Sequence, residues 1–267
     1  MPSTSLVIAT YNWPEALDLV LRSVRAQRRM PTEVLVADDG SGEATRQVVT
    51  AHHIDFPVPL LHVWHEDRGF RLAAIRNEAI RRASGDYIIQ VDGDIVLHPR
   101  FVAAHARFAQ RGAYVQGSRC LLGPNLTQAL LRDRQHAVPW FATDLRNRQN
   151  AWYLPWLAPL IRGPRDPGRR TRGCHMAFWR DDLCLVNGYD ESFVGWGRED
   201  SELAARLIHS GIRRRNFKFG AVAYHLWHEE ACRGRYSVNE GRYEATLREK
   251  RQRCMHGLVG EFPEVVV

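Results

Sequence analysis

Two carboxylates stand side by side at Asp92-Gly93-Asp94, directly after the apolar run Tyr87-Ile88-Ile89-Gln90-Val91. The run is short and β-branched, so it predicts a buried strand that ends in two acids. Acids so close repel each other unless a cation lies between them. A hard divalent ion takes such oxygens and keeps positions open for a substrate's phosphates. In an open α/β sheet, ligands bind beyond the carboxyl ends of the strands. A second acidic pair, Asp38-Asp39, closes the run Val34-Leu35-Val36-Ala37 before Gly40-Ser41-Gly42. Those residue types suit any tight turn. Two acidic strand ends on one sheet edge also suit a nucleotide pocket, where a carboxylate accepts from a base or ribose.

Three later groups could supply the rest. Arg68-Gly69-Phe70-Arg71 precedes a helical stretch that carries Arg76 and Asn77. Arginine forks match phosphate oxygens, although Arg81 and Arg82 on the same stretch would equally make a solvated basic face. Gly195-Trp196-Gly197 sets two glycines about an aromatic ring, so backbone can approach a ligand and the ring can face a sugar. Glu199-Asp200 then open a helix whose apolar face is Leu203, Leu207 and Ile208. Acids in a first turn answer the helix dipole, and a carboxylate there could also deprotonate an acceptor hydroxyl as general base. His225 and His228 follow the last apolar run, Ala221-Val222-Ala223-Tyr224. An imidazole there can complete a coordination shell begun by Asp94. At this spacing both histidines need not be ligands.

The elements that position these groups read as an α/β fold. The first ~110 residues alternate strand and helix patterns. Strands are expected at Leu6-Val7-Ile8-Ala9, at Val34–Ala37, at Leu60-Leu61-His62-Val63-Trp64 and before Asp92. Pro14 suits a first helical turn, and Ala16, Leu17, Val20, Leu21 and Val24 mark one helical face. A short helix is expected between Gly42 and the Leu60 strand, and another from about Leu72 to Ala83. Repeated βα units predict a mainly parallel, Rossmann-like sheet flanked by helices, with right-handed crossovers. Residues 120–172 break the rhythm. A strand at Met176–Trp179, a helix from Glu199 to Ser210 ended by Gly211, and a surface helix from Glu240 to Cys254 complete the pattern.

Composition sets bounds. With 267 residues, 45% hydrophobic and 25% charged, the chain can bury a full core. A net charge of +7 suits anionic partners. Five cysteines, odd in number and without a Cys-x-x-Cys, argue against a disulfide framework or zinc knuckle and for a reducing cytoplasm. No signal peptide or membrane-spanning stretch is expected.

In combination these residues resemble a family 2 glycosyltransferase with the GT-A fold. The likeness runs through Val7-Ile8-Ala9-Thr10-Tyr11-Asn12, Ala37-Asp38-Asp39-Gly40-Ser41, Arg76-Asn77 and Asp92-Gly93-Asp94, the last standing as a DXD motif. From Arg172-Gly173-Cys174-His175-Met176 through Gly195–Asp200 the chain resembles a galactosyltransferase-type module, shared by animal galactosyltransferases and bacterial chondroitin polymerases. The resemblance implies Thr10, Tyr11, Asn12, Asp38, Asp39, Arg76, Asn77, Asp92, Gly93, Trp196 and Gly197 around a nucleoside diphosphate sugar, with UDP expected. It implies Asp94, His225 and Asp92 about Mn2+ or Mg2+, Asp200 as inverting base, and Glu199 binding donor or acceptor sugar. His175 stands where relatives often carry Asn.

The expected organisation is one continuous GT-A domain. Residues 1–118 form its nucleotide-sugar part, 119–172 an insert, and 173–267 the acceptor-side and catalytic part. The expected reaction is inverting, metal-dependent sugar transfer to a hydroxyl of a glycan or lipid-linked glycan, in surface polysaccharide or lipopolysaccharide synthesis. The competing readings are a nucleotidyltransferase, which would not need Gly195-Trp196-Gly197, and a catalytically dead glycan- or nucleic-acid-binding module, which the intact acidic set opposes. Nucleic acid is not an expected partner. In the insert, Trp152, Tyr153, Trp156, Leu157, Leu160 and Ile161 precede Arg162, Arg165, Arg169, Arg170 and Arg172. Such a pairing predicts either a peripheral contact at the inner face of a membrane or buried aromatics beside a solvated loop.

Overall fold

The computed structural model describes residues 1–139, 141–161, 171–229 and 234–259. Arg162, Arg165, Arg169, Arg170 and Cys232 lie outside the described residues. The alternating start is as expected: β1 (Thr4–Thr10), α1 (Pro14–Arg25), β2 (Glu33–Asp38), α2 (Glu43–His53), β3 (Leu60–Trp64), α3 (Leu72–Arg82) and β4 (Tyr87–Asp92). Pro14 opens α1, and its predicted stripe Ala16, Leu17, Val20, Leu21 and Val24 is buried. The chain continues through β5 (Ile95–Leu97), α4 (Phe101–Phe108), β6 (Ala113–Gly117), β7 (Cys120–Leu122), α5 (Pro124–Asp133) and β8 (Leu145–Arg146). It ends with β9 (His175–Trp179), α6 (Arg180–Val186), α7 (Glu199–His209), β10 (Arg213–Phe217), β11 (Ala223–His225) and α8 (Tyr236–Glu249).

The main sheet has the order β10-β6-β9-β4-β1-β2-β3. β3, β2, β1 and β4 are parallel, β9 lies antiparallel between β4 and β6, and β10 pairs parallel with β6. Side chains alternate across the sheet because strand period is two. Leu6, Ile8, Tyr87, Ile89 and Val91 meet α1, α2 and α4 on one face. Val7 and Ile88 meet α3, α6 and α7 on the other. The result is three layers with a mainly parallel centre. Register brings Thr10 beside Asp38 and Ala9 beside Asp92, so three strands end level on one edge.

A second sheet, β5-β11-β7-β8, caps this edge. It covers its own small core of Val96, Cys120, Leu122, Leu145, Val222 and Tyr224. The segment expected only to break the βα rhythm thus supplies half of a small sheet. The C-terminal helix begins at Tyr236, four residues before the expected Glu240, and Tyr243 is its buried anchor. Among the described residues, Cys120, Cys174, Cys184 and Cys254 are free thiols. No described helix is long and apolar enough to cross a membrane.

One buried ion pair ties α7 to its surroundings. Arg206 Nε and Nη2 donate to the two Glu202 oxygens at 2.7 and 2.6 Å, and Nη1 donates to the Val186 carbonyl. Both side chains are almost wholly buried. Glu202→Ala would strand a buried guanidinium, so it should destabilise the fold by about 3–5 kcal/mol. Urea unfolding reads this directly, and a loss below about 1 kcal/mol would show that water reaches Arg206.

Candidate active site

The level strand ends carry the acids, and the C-terminal part brings its own groups to them. The Leu226 N–H donates to the Asp94 carbonyl at 3.0 Å, which fastens the segment after β11 against the DXD turn. Asp94 Oδ2 then lies 3.4 Å from His225 Nε2 and 3.1 Å from His228 Nε2. One ligand atom from each of the three falls within 4.8 Å of the others. Burial alone would push Asp94 up, but the hydrogen bond with His228 and the neighbouring His225 hold its pKa down. Burial lowers the pKa of His225, which favours the neutral imidazole that ligates metals. The hydrogen bond to Asp94 raises His228 to about 9. Asp94 Oδ1 is buried with no partner. A carboxylate with one oxygen beside two imidazoles and the other buried without a partner fits a divalent cation of the transition series.

The trio differs from the expected Asp92, Asp94 and His225. Asp92 turns to Arg76, whose Nη2 donates to Asp92 Oδ1 at 2.8 Å. Arg76 Nη1 reaches Glu199 Oε1 at 3.5 Å. Arg76 is wholly buried and also lies over the Tyr189 ring. Its two terminal nitrogens reach Asp92 and Glu199 while its Nε is buried without a partner, so it joins the Asp92-Gly93-Asp94 turn to the start of α7. The bridge follows from fold geometry: α3 packs on the face that α7 shares. Arg119 is a basic group the sequence did not single out. Its Nη1 donates to Cys174 Sγ at 2.7 Å. Burial opposes its charge, while Cys174, Asp92 and Asp94 hold its pKa up. No motif surrounds Arg119, which leaves no local signal to find it by.

Glu199 and Asp200 form the first turn of α7. Asp200 Oδ2 accepts from the Gly173 N–H and Oδ1 from the Ser201 N–H, both at 2.6 Å. Glu199 Oε2 is buried and unpartnered. Burial, then the charge of Asp200, raises Glu199 to about 7. The preceding Arg198 has φ 74 and is pinned by Glu240 of α8, with Nη2 to Oε1 at 2.9 Å. Gly197, at φ 108, takes a backbone conformation that side chains strain, and a Cβ there would meet the Tyr236 ring at 3.0 Å. The half-buried Trp196 leans on that same ring at 5.8 Å. The Gly195 N–H donates to the Phe70 carbonyl, which joins this loop to the segment before α3.

A raised carboxyl pKa favours the protonated fold. The stability it contributes is full below the ordinary value of 4.5 and is lost as pH rises through about 7. Glu199→Gln mimics the protonated form. In metal-free protein it should raise stability at pH 8 by on the order of 1–3 kcal/mol and change little at pH 5. Thermal unfolding at the two pH values checks the sign, and equal shifts at both would show that Glu199 is not buried as described.

The remaining expected residues divide. Thr10 is buried at the edge, and Tyr11 is exposed with its hydroxyl donating to Asp67 at 3.0 Å. Asn12, at φ 45, accepts from the Gly42 N–H, which closes the β1 turn on the β2 turn. Gly93 lets the DXD turn pass the Ala9 carbonyl, which a Cβ would meet at 3.0 Å. Asp39 pairs with His65 at 2.7 Å and accepts from the Arg71 N–H. Asp38 and Asn77 have structural partners instead. Asp38 holds the Ser41 N–H and His62. Asn77 is buried and exchanges two hydrogen bonds with the Tyr189 backbone. Both side chains are buried. His175 is also internal, 2.8 Å from His105.

A mainly parallel α/β sheet flanked by helices is the architecture of a GT-A fold. Residues 5–162 match the family model for glycosyl transferase family 2, and residues 162–229 match that for the N-terminal domain of galactosyltransferase. The chain belongs to glycosyl transferase family 2. It is 32% identical over 225 residues to the validoxylamine A glucosyltransferase of Streptomyces hygroscopicus subsp. limoneus, covering 79% of this chain and 49% of that protein. It is 27% identical over 251 residues to the chondroitin synthase of Escherichia coli, covering 83% and 34%. The chain thus spans half or less of the length of these relatives. Among solved structures, the mannosyltransferase PcManGT from Pyrobaculum calidifontis, in complex with GDP-Man and Mn2+, aligns with a TM-score of 0.61 at 18% identity, over 93% of this chain and 64% of that one. TarS of S. aureus aligns with a TM-score of 0.63 at 16% identity, over 93% and 41%. These likenesses establish the shared fold.

Proposed function

We propose that this protein transfers a sugar, with inversion, from a nucleoside diphosphate sugar to a hydroxyl of a glycan or lipid-linked glycan. The observation that carries the reading is the pairing of two sites across one edge: Asp94, His225 and His228 on one side, Glu199 and Asp200 on the other, with Arg76 between. Asp94, His225 and His228 would hold Mn2+, whose positive charge offsets that of the leaving diphosphate. The mixed oxygen and nitrogen donors suit manganese better than magnesium, which prefers oxygen alone. The DXD turn, Asp39 and Tyr11 line the donor side, with UDP as the expected nucleotide. Trp196 would offer its ring to a sugar. Asp200 would take the acceptor proton while its hydrogen bonds to Gly173 and Ser201 hold the carboxylate in place. Arg76 keeps Glu199 and Asp92 at fixed separation.

The setting that fits is the cytoplasmic face of a membrane, in synthesis of a surface polysaccharide or lipopolysaccharide. Family membership weighs against the nucleotidyltransferase and the dead binding module. The division into residues 1–118, 119–172 and 173–267 remains the proposed functional layout, although β9 threads the last part into the main sheet. The test is release of nucleoside diphosphate from a panel of UDP- and GDP-sugars, with Mn2+ and without. Release from one donor that rises with an oligosaccharide acceptor supports the reading, and no release from any donor overturns it.

A further inference from the structure

The segment between α5 and β9 carries features that sugar transfer does not use. Pro155–Leu160 forms a short stretch of tight helix, with Pro155 at its start and Pro159 inside it. Ala158 plugs this turn into the core at 1% exposure, while Trp156 and Leu160 stand out at 69% and 71%. Two prolines and a buried anchor hold the exposed side chains in place, so little order is lost when they are covered. Trp152, also exposed, stacks on Phe219 at 6.4 Å.

Positive charge flanks this apolar turn on both sides. Tyr153 lines a hollow of 280 Å³ with Arg28, His98, Pro99 and Arg100. Arg100 lies over the Tyr153 ring at 4.9 Å, and His98 stacks on that ring at 5.5 Å. No carboxylate among the described residues pairs with Arg28 or Arg100. On the other side the turn packs against β10, an edge strand that carries Arg213, Arg214 and Arg215. Charged edge strands also block unwanted strand pairing, but that need explains neither the outward tryptophans nor the arginines of the hollow.

We propose that this face docks on an anionic phospholipid surface. Trp152, Trp156 and Leu160 would enter the interface, and Arg28 and Arg100 would hold a headgroup phosphate in the hollow. β5 spans only three residues between Asp94 and His98. The hollow therefore lies about 13 Å along the strand from the Asp94 trio, and docking would bring the cleft close to a lipid-borne acceptor. The proposal goes beyond the transfer reading. Vesicle binding needs neither metal nor donor, so the two can fail separately.

Sedimentation with phosphatidylcholine vesicles, with and without phosphatidylglycerol, provides the test. Binding is expected only to the anionic vesicles, at low salt, and should be lost as salt rises. Trp156→Ser combined with Leu160→Ser should weaken it at least tenfold. Arg28→Ser and Arg100→Ser should each cost about fivefold, equivalent to about 1 kcal/mol per arginine, while Arg132→Ser on α5 costs nothing. Free glycerol phosphate at millimolar concentration should not displace the protein, which separates a surface from a soluble phosphate site. Thermal unfolding should be unchanged in every variant, because the replaced side chains lie at the surface. Absence of binding to anionic vesicles at low salt overturns the proposal. Equal binding to neutral vesicles, equal loss in Arg132→Ser, or a dimer that Trp156→Ser dissolves without any vesicle binding would overturn it as well.

Discussion

Excess chelator should abolish sugar transfer, and Asp94→Ala should lower turnover by at least ~10²-fold even with added Mn2+. Asp94 is the only carboxylate in the trio and contributes the orphaned Oδ1. His225→Ala and His228→Ala should weaken metal binding less, since each leaves one imidazole and the carboxylate. The two histidines should differ with pH. The Asp94 hydrogen bond keeps His228 protonated up to about pH 9, so metal must displace that proton. Affinity for Mn2+ should therefore tighten as pH rises from 6.5 to 8.5, by up to about tenfold per unit. Burial already favours neutral His225, so His225→Ala should keep this dependence and His228→Ala should lose most of it. Calorimetric titration with Mn2+ at the two pH values measures both effects. Full turnover in chelator, or a wild-type affinity flat in pH, would remove the trio from the mechanism.

The part of this site carried by local signals was readable before the structure. The runs ending in Asp38 and Asp92 are β-branched, short and buried, and both became parallel strands whose ends align. Glu199-Asp200 before Leu203 and Leu207 gave a helix start where expected. What stayed hidden depends on pairing at long range. β9 lies antiparallel in the middle of a mainly parallel sheet, and its partners β4 and β6 are far from it in the chain, so no local pattern sets its direction. The strands of the small sheet run two to three residues, too short for any period to show. The same limit applies to side chains. Arg76 looked like a phosphate ligand because the sequence could not place Asp92 and Glu199 on either side of it. Asn77 looked like a donor contact because its partner, the Tyr189 backbone, is 112 residues away. His228 could be counted with the trio only once the Leu226–Asp94 hydrogen bond fixed the turn.

Asp200→Asn should lower kcat by ~10²–10⁴-fold while Mn2+ and donor affinity stay near wild type. Asn has the same shape but cannot take the acceptor's proton. Its amide would present an NH2 to either the Gly173 or the Ser201 N–H, so one of two hydrogen bonds is lost. That should cost about 1 kcal/mol of stability, far less than the expected kinetic loss. A residue that only capped α7 would show the reverse, a stability change with turnover intact. Glu199→Gln is the internal control. Glu199 touches Arg76, not the Gly173 turn, and sits at about 7, where it is half charged at neutral pH. Its replacement should raise KM for one substrate and leave kcat within about tenfold, because binding contacts act on ground and transition states alike. Single-turnover rates for the two variants decide between the carboxylates. If Asp200→Asn keeps near-normal turnover and Glu199→Gln loses it, the proton passes to Glu199, and Asp200 is left as the cap that holds the start of α7 against Gly173.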